Sequence, residues 1–274
     1  MVAQILVCVS FMIRLTPAFK EKVWGSTRLE PLFPNSQNKI GEVWFEGVDD
    51  LPLLIKFLFT TEKLSVQVHP NDAYARLHHG SRGKTEMWYV LAAEPGAQVA
   101  AGFRETITPQ RLREASLSGE IEDMLQWFDA APGDVFFIPA GTVHAIGAGL
   151  TLCEIQEHSD ITYRLHDYGR PRELHLDRGV EVSHLGPHSP RQKTNRNSPL
   201  DLLVSCPYFS TSRLSISNST QYIAPSGVSQ FLVLLEGSGT INGQPMRAGE
   251  VWYLEENSRE IQLSGTATLL HILP

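Results

Sequence analysis

Apart from one stretch at 108–128, this chain is cut by Pro, Gly and Asn into short runs of β-prone residues, which leaves it little to build but sheets. Glu42-Val43-Trp44-Phe45, Leu53 to Phe59, Val135-Phe136-Phe137-Ile138, Thr151 to Gln156 and Thr162 to Leu165 are such runs. Leu202-Leu203-Val204, Phe231 to Leu235, Val251 to Leu254 and Thr266 to Ile272 continue the style towards the C-terminus. Between the two series, Gly186 to Pro199 is rich in Ser, Pro, Arg and Asn and reads as a linker. The expectation is a mainly β chain in two modules, residues 1–185 and 200–274, joined by 186–199. The exception, Thr108 to Phe128, spaces Leu112, Ala115, Leu117, Ile121, Met124 and Leu125 among Glu, Arg and Gln, with Pro109 at its start and a break at Ser118-Gly119. It predicts one or two helices laid on a sheet.

In the first module, polar groups stand where a packed sheet would want apolar ones. The period of two in Ser65-Val66-Gln67-Val68-His69-Pro70 puts Val66 and Val68 on one face and Gln67 and His69 on the other. Glu86 heads a second run, Met-Trp-Tyr-Val. Gly133-Asp-Val-Phe-Phe-Ile-Pro139-Ala-Gly141-Thr-Val-His144 reads as a turn, a strand and a tight corner that aim His144 into a β interior. Gln67, His69, Glu86 and His144 together form a set of N and O donors suited to a divalent ion such as Zn²⁺. Lys56 interrupts the most apolar run, and buried charge is costly unless paired, so it is either an edge-strand surface residue or a site residue. Asn71-Asp72 after Pro70 predicts a short helix ending near His78 and His79. Adjacent residues on a helix do not face one direction, so that pair reads as a solvated terminus.

A net charge of −7 gives no general reason to bind nucleic acid or an anionic membrane, so an anionic ligand must be met by locally placed cations. Cys8, Cys153 and Cys206 are odd in number and widely spaced, which suits a reducing compartment, by default the cytoplasm. The opening MVAQILVCVSFMI has no basic region ahead of its apolar run and is too short to span a bilayer, so it reads as an edge strand or an extension before the first strand.

The run from Gly133 to His144 matches, position by position, the second motif of the cupins, G-x5-P-x-G-x2-H. With Gln67-Val-His69-Pro, Gly83-Lys84-Thr85-Glu86 and Glu154-Ile-Gln-Glu-His-Ser-Asp160-Ile-Thr-Tyr-Arg164 beside it, the chain resembles the short bacterial form of the type I phosphomannose isomerases from about Leu15 onward. The resemblance implies two cupin-type jelly-roll β-barrel modules with a small helical insertion. It implies one Zn²⁺ per chain on His69, Glu86 and His144, with Gln67 as a further ligand. Arg164 matches the catalytic arginine, and Lys56, Lys84, Glu154 and Asp160 fall at positions that line the same pocket. The implied activity is a zinc-dependent interconversion of mannose 6-phosphate and fructose 6-phosphate through an enediol. Glu154, Asp160, His158 and a zinc-bound hydroxide all stay open as the base. Lys56 and Lys84 are the cations expected at the substrate phosphate, with Arg82 and Arg170 as further neighbours, and His166, Asp167 and Tyr168 are left out of the site. The C-terminal module keeps Gly249-Glu-Val-Trp-Tyr-Leu without Pro-x-Gly-x2-His and is expected to be structural. The partner is a small sugar phosphate, and the chain is a monomer or a homodimer.

Two other readings compete. A cupin that binds a sugar phosphate without turning it over would leave the C1 and C2 protons unexchanged with solvent. An iron-dependent cupin dioxygenase, which also uses His and carboxylate ligands, would carry Fe(II) and consume O₂.

Overall fold

The structure is a computed structural model and describes residues 12–195, 198–223, 227–256 and 260–274. Three sheets carry the fold. The first has six strands in the order β2 (Thr16–Ser26), β3 (Ile40–Glu46), β4 (Leu53–Phe59), β11 (Leu150–Glu157), β6 (Glu86–Ala93) and β9 (Val135–Ile138). The second has five: β12 (Tyr163–His166), β5 (Val66–Val68), β10 (His144–Ile146), β7 (Gln98–Phe103) and β8 (Leu125–Asp129). The third runs β1 (Met12–Arg14), β17 (Val251–Leu254), β15 (Gln230–Ile241), β18 (Glu260–Leu273), β14 (Ser210–Ile223) and β13 (Leu200–Ser205), with β16 (Gln244–Arg247) paired to β15. Among the described residues every pairing between these strands is antiparallel. The sheets are jelly-roll-like but not closed: β2 and β9 end the first and β12 and β8 the second, so the barrels expected from the sequence are open sandwiches.

The six-stranded sheet is covered on both faces, which explains the near-continuous apolar reading of its strands. In β4, Leu53, Ile55, Phe57 and Phe59 join Met87, Cys153 and Ile155 in a core shared with Phe231, Val233, Leu270 and Ile272 of the third sheet. Leu58 faces the other way, into a core with Trp24, Trp88, Val99 and Ile146 that lies against the five-stranded sheet. Lys56, two residues from Leu58, shares that second face. It is not on an edge strand, because β4 lies between β3 and β11. The outer face of the five-stranded sheet is closed by helices: Leu112 and Ala115 of α2 (Pro109–Ser118) and Ile121 of α3 (Ile121–Met124) pack with Val66, Val68, Ala145 and Leu165.

Helix α1 (Asp72–His79) begins as expected, with Asn71 Oδ1 accepting the Tyr74 N–H at 3.0 Å, and ends at His79 before Gly80. Two local differences stand out. The stretch 108–128 is helical only to Met124, and Leu125–Asp129 forms β8, hydrogen-bonded to β7. There the apolar period fits a helix while the neighbouring strand offers backbone partners, and pairing prevails. A fourth helix, α4 (Leu176–Val182), packs on β12, and its short DRGVEV run carried no cap or period from which to read it. Met12–Arg14 falls within the 1–185 division, yet it pairs with Leu254, Tyr253 and Trp252 of the third sheet. Residues 1–11, with Cys8 and most of the apolar opening, lie outside the described residues. Among the described residues no helix is long and apolar enough to cross a membrane.

Candidate active site

One cross-strand row organises the site. Trp44 on β3, Lys56 on β4, Glu154 on β11 and Trp88 on β6 are successive register partners, so four side chains line up on the face turned to the five-stranded sheet. The Lys56 ammonium lies 4.7 Å over the Trp44 ring and 3.2 Å from Glu154 Oε2, and Trp88 Nε1 donates to Glu154 Oε1 at 3.2 Å. Two residues along β11 and β6, Gln156 pairs with Glu86, which places the Glu86 side chain one step beyond Trp88 on the same face. From the opposite sheet, β10 brings His144 in register with Gln67 of β5. The corner before His144 is tight: Gly141 has a φ of +87°, and its N–H donates to the His69 carbonyl at 2.8 Å.

Among the described residues, His69, Glu86 and His144 form the one group with metal-ligand geometry, their donor atoms all within 4.8 Å of one another and all three residues buried. Each imidazole is oriented from behind. His69 Nδ1–H donates to the Ile161 carbonyl at 2.9 Å and His144 Nδ1–H to the Thr142 carbonyl at 2.8 Å, which leaves both Nε2 lone pairs for the centre. Burial pushes His69 well below the usual histidine range and His144 down to about 4, so both stay in the neutral, ligating form. Glu86 Oε1 lies 3.4 Å from His144 Nε2 and has no hydrogen-bond donor, although the residue is fully buried. Lys84 Nζ sits 3.0 Å from His69 Nε2 and 2.8 Å from Glu86 Oε2.

These residues fit a divalent cation. Two neutral imidazoles and an orphaned carboxylate oxygen converge, and the burial of Glu86 still raises its carboxyl despite the nearby Lys84. A cation of higher charge would offset that cost. The Gln67 side chain borders the group, with Nε2 3.3 Å from His144 Nε2 and Oε1 3.4 Å from Ser65 Oγ. Burial opposes ionisation of Glu154 as well, but Lys56 and Lys84 together outweigh it and hold that carboxyl well below its ordinary range.

A cavity of ≈ 250 Å³ lies beside this centre: Gln67 and Lys84, which contact the ligand group, line it together with Lys56, Glu154, Asp160 and Arg164. The structure therefore brings His69, Glu86 and His144 into the ligand group and Lys56, Gln67, Lys84, Glu154, Asp160 and Arg164 onto this one cavity. His158 is turned away, with its Nδ1–H donating to the Leu51 carbonyl. Arg82 is also outside, donating to the Pro52 carbonyl. Sequence reasoning passed over three groups. Lys22 and Glu42 form a 3.1 Å ion pair on the wall beside Trp44, and the period of two in Glu42-Val43-Trp44 was enough to place Glu42 there. Arg172 lines the mouth, held by Asp167, and no local pattern marks it.

The loop that delivers Lys84 and Glu86 is clamped to the start of α1. Gly83 N–H donates to Asp72 Oδ1 at 2.9 Å, and a Cβ at Gly83 would come within 2.5 Å of the Asp72 backbone nitrogen. Thr85 N–H donates to Glu157 Oε2 at 2.7 Å, and Glu157 N–H to the Thr85 carbonyl at 3.1 Å. Burial, reinforced by the Asp72 carboxylate against the Thr85 N–H, pushes Glu157 up to about 7. As pH rises from the unfolded value of 4.5 to about 7, the unfolded chain sheds a proton that the folded chain keeps, so this group's contribution to stability falls across that window and is flat above it. Glu157→Gln keeps an acceptor for Thr85 without the titration. Its stability relative to the parent is expected to improve by about 1 to 3 kcal/mol between pH 5 and pH 8. Melting curves of the two proteins at both pH values check this, and parallel curves would contradict it.

The sequence model of the catalytic domain of type I phosphomannose isomerases matches residues 28–89. The mannose-6-phosphate isomerase ManA of Bacillus subtilis strain 168 is 33% identical over 303 residues, covering 92% of this chain and 95% of that protein. The mannose-6-phosphate isomerase of Streptococcus mutans is 33% identical over 254 residues, covering 87% of this chain and 76% of that protein. The crystal structure of the Bacillus subtilis mannose 6-phosphate isomerase matches with a TM-score of 0.85 at 29% identity, over 95% of this chain and 99% of that one. A phosphomannose isomerase variant from Salmonella typhimurium, at 15% identity and a TM-score of 0.77 over 96% of this chain and 99% of that one, shares the fold.

Proposed function

The chain belongs to the type I phosphomannose isomerases, and from that premise we propose that it interconverts mannose 6-phosphate and fructose 6-phosphate through an enediol, in the cytoplasm, with Zn²⁺ at His69, Glu86, His144 and Gln67. The observation that carries this reading is a buried imidazole–carboxylate–imidazole group joined through Lys84 to a cavity that Glu154 and Arg164 also line. Zn²⁺ bound there supplies Lewis-acid stabilisation for negative charge on the substrate oxygens.

The rest of the chemistry falls to side chains. Moving a proton between C1 and C2 leaves negative charge on the oxygens of both carbons, and Arg164 faces the cavity with a permanent positive charge and an Nε–H that has no acceptor. That charge, carried on a planar fork of donors, steadies the developing enediolate. Lys56 and Lys84 contact the substrate from the cavity floor, held in place by the carboxylates they pair with. Glu154 and Asp160 are the carboxylates of the cavity wall that carry the proton, Glu154 kept ionised by the two lysines and Asp160 exposed at the mouth.

A coupled assay of both sugar phosphates, with and without chelator and with Zn²⁺ restored, tests the proposal. Chelator-sensitive conversion accompanied by exchange of the C1 or C2 proton with solvent is the expected result. Binding of fructose 6-phosphate without exchange, with zinc verified in the site, would remove it.

A further inference from the structure

Where the cavity opens past β12, three guanidinium groups gather round one buried carboxylate. Asp167, its side chain 2% exposed, accepts two hydrogen bonds from Arg172, Nε to Oδ2 at 2.6 Å and Nη2 to Oδ1 at 2.7 Å, and Arg170 Nη2 lies 3.0 Å from Oδ1. Arg164 and Arg172 line the same cavity. Backbone carbonyls complete part of the cluster: Arg164 Nη1 donates to Glu173 and Arg170 Nη2 to Lys63. Two buried N–H groups, Arg164 Nε and Arg170 Nη1, have no acceptor among the described residues. Burial, and next the charge of Arg172, lowers the Arg164 guanidinium from its ordinary range, so like charges face one another at this mouth.

Such a cluster wants an anion. Three cations meet the carboxylates of Asp167 and Glu173 there, and donors remain over. The lysines expected from the sequence to take the phosphate are already committed deeper in: Lys56 to Glu154 at 3.2 Å, and Lys84 to Glu86 at 2.8 Å and Glu154 at 3.9 Å. A phosphate dianion would gain little from cations whose charge is cancelled by neighbouring carboxylates. Arg172 differs, because its side chain is 32% exposed and only one edge of its planar fork is used by Asp167.

We propose that Arg172, held in place by Asp167, grips the phosphate of the sugar substrate and so selects phosphorylated over unphosphorylated hexoses; this rests on the isomerase reading above. Arg172 is the specificity-determining residue and Asp167 its positioning residue. A buried carboxylate fixes the guanidinium plane before the substrate arrives, so the contact costs little ordering.

The test compares the zinc-loaded parent with Arg172→Ala, Arg172→Lys and Asp167→Asn, using mannose 6-phosphate, mannose and inorganic phosphate as probes. In Arg172→Ala the KM for mannose 6-phosphate is expected to rise about 10- to 100-fold, the range for loss of a charged hydrogen bond, with the change in kcat much smaller. The preference for mannose 6-phosphate over mannose in kcat/KM falls by the same factor. Arg172→Lys restores part of the loss, since it returns the charge without the fork. Asp167→Asn raises KM in the parent but adds little on top of Arg172→Ala, the non-additivity of residues that act together. An unchanged KM in Arg172→Ala, or a loss shared equally by mannose and mannose 6-phosphate, would overturn the assignment while leaving the isomerase reading intact. If the parent converts no sugar phosphate, that reading falls, and calorimetric titration with inorganic phosphate still judges Arg172: at least tenfold weaker binding in Arg172→Ala supports the grip, and equal affinity ends it.

Discussion

Arg164→Ala is expected to lower kcat by about 10²- to 10³-fold, with bound metal and melting temperature close to those of the parent. The size follows from what the side chain does not do in the free protein. The residue lines the cavity, with Nη1 used by the Glu173 carbonyl and Nε–H buried without an acceptor. A fixed cation beside a partly dry site stabilises developing charge without reorganising, so its loss falls on the transition state more than on the fold. The backbone stays tied, because Arg164 N–H donates to His175 Nδ1 and the Arg164 carbonyl accepts from His175 N–H. Steady-state kinetics with metal analysis decide it. A drop in kcat that tracks lost metal would show Arg164 to be a structural prop for the centre.

Glu86→Gln separates two effects that usually travel together. Removing the carboxylate is expected to weaken metal binding by more than the roughly 10- to 100-fold that follows loss of an outer partner, and turnover falls with occupancy. Stability without metal should move the other way. The Glu86 carboxylate is fully buried, has an oxygen that accepts no hydrogen bond and is raised by burial, so an isosteric neutral amide relieves a cost. Chelated parent and variant therefore melt at similar temperatures or with the variant higher, while added Zn²⁺ raises the melting temperature of the parent alone. A variant that still gains from Zn²⁺ as the parent does would mean that Glu86 is no ligand.

The fold was legible where physical signals were local and repeated. Period-two runs such as Val66 to His69, the Pro139-x-Gly141 corner and the Asn71 cap each encode a short piece of geometry in adjacent residues. Leu125–Asp129 was misread because a helical apolar period and a sheet partner compete there, and only the partner β7 tells them apart. Lys56 stayed ambiguous in sequence for the same reason: its surroundings are Trp44 and Glu154, contributed by other strands. The meeting of His69, Glu86 and His144 could be assembled from motifs. The arginine mouth could not, because Arg172 acquires meaning from a turn that folds it back on Asp167, and charged turn residues look alike in one dimension.

The pairing of β1 with β17 ties the order of assembly to the length of the chain. Met12–Arg14 cannot dock until Val251–Leu254 has been synthesised, while β2, starting at Thr16, finds its partner at 40–46 almost at once. The apolar face that the six-stranded sheet shares with Phe231 and Leu270 must likewise wait in water for those later strands to be made. Such long-range closure is slow, and it leaves a nascent chain with a finished pocket on one side and an adhesive surface on the other. That surface is covered only when the third sheet forms, and its pairing of β17 with β1 then holds the two ends of the described fold together.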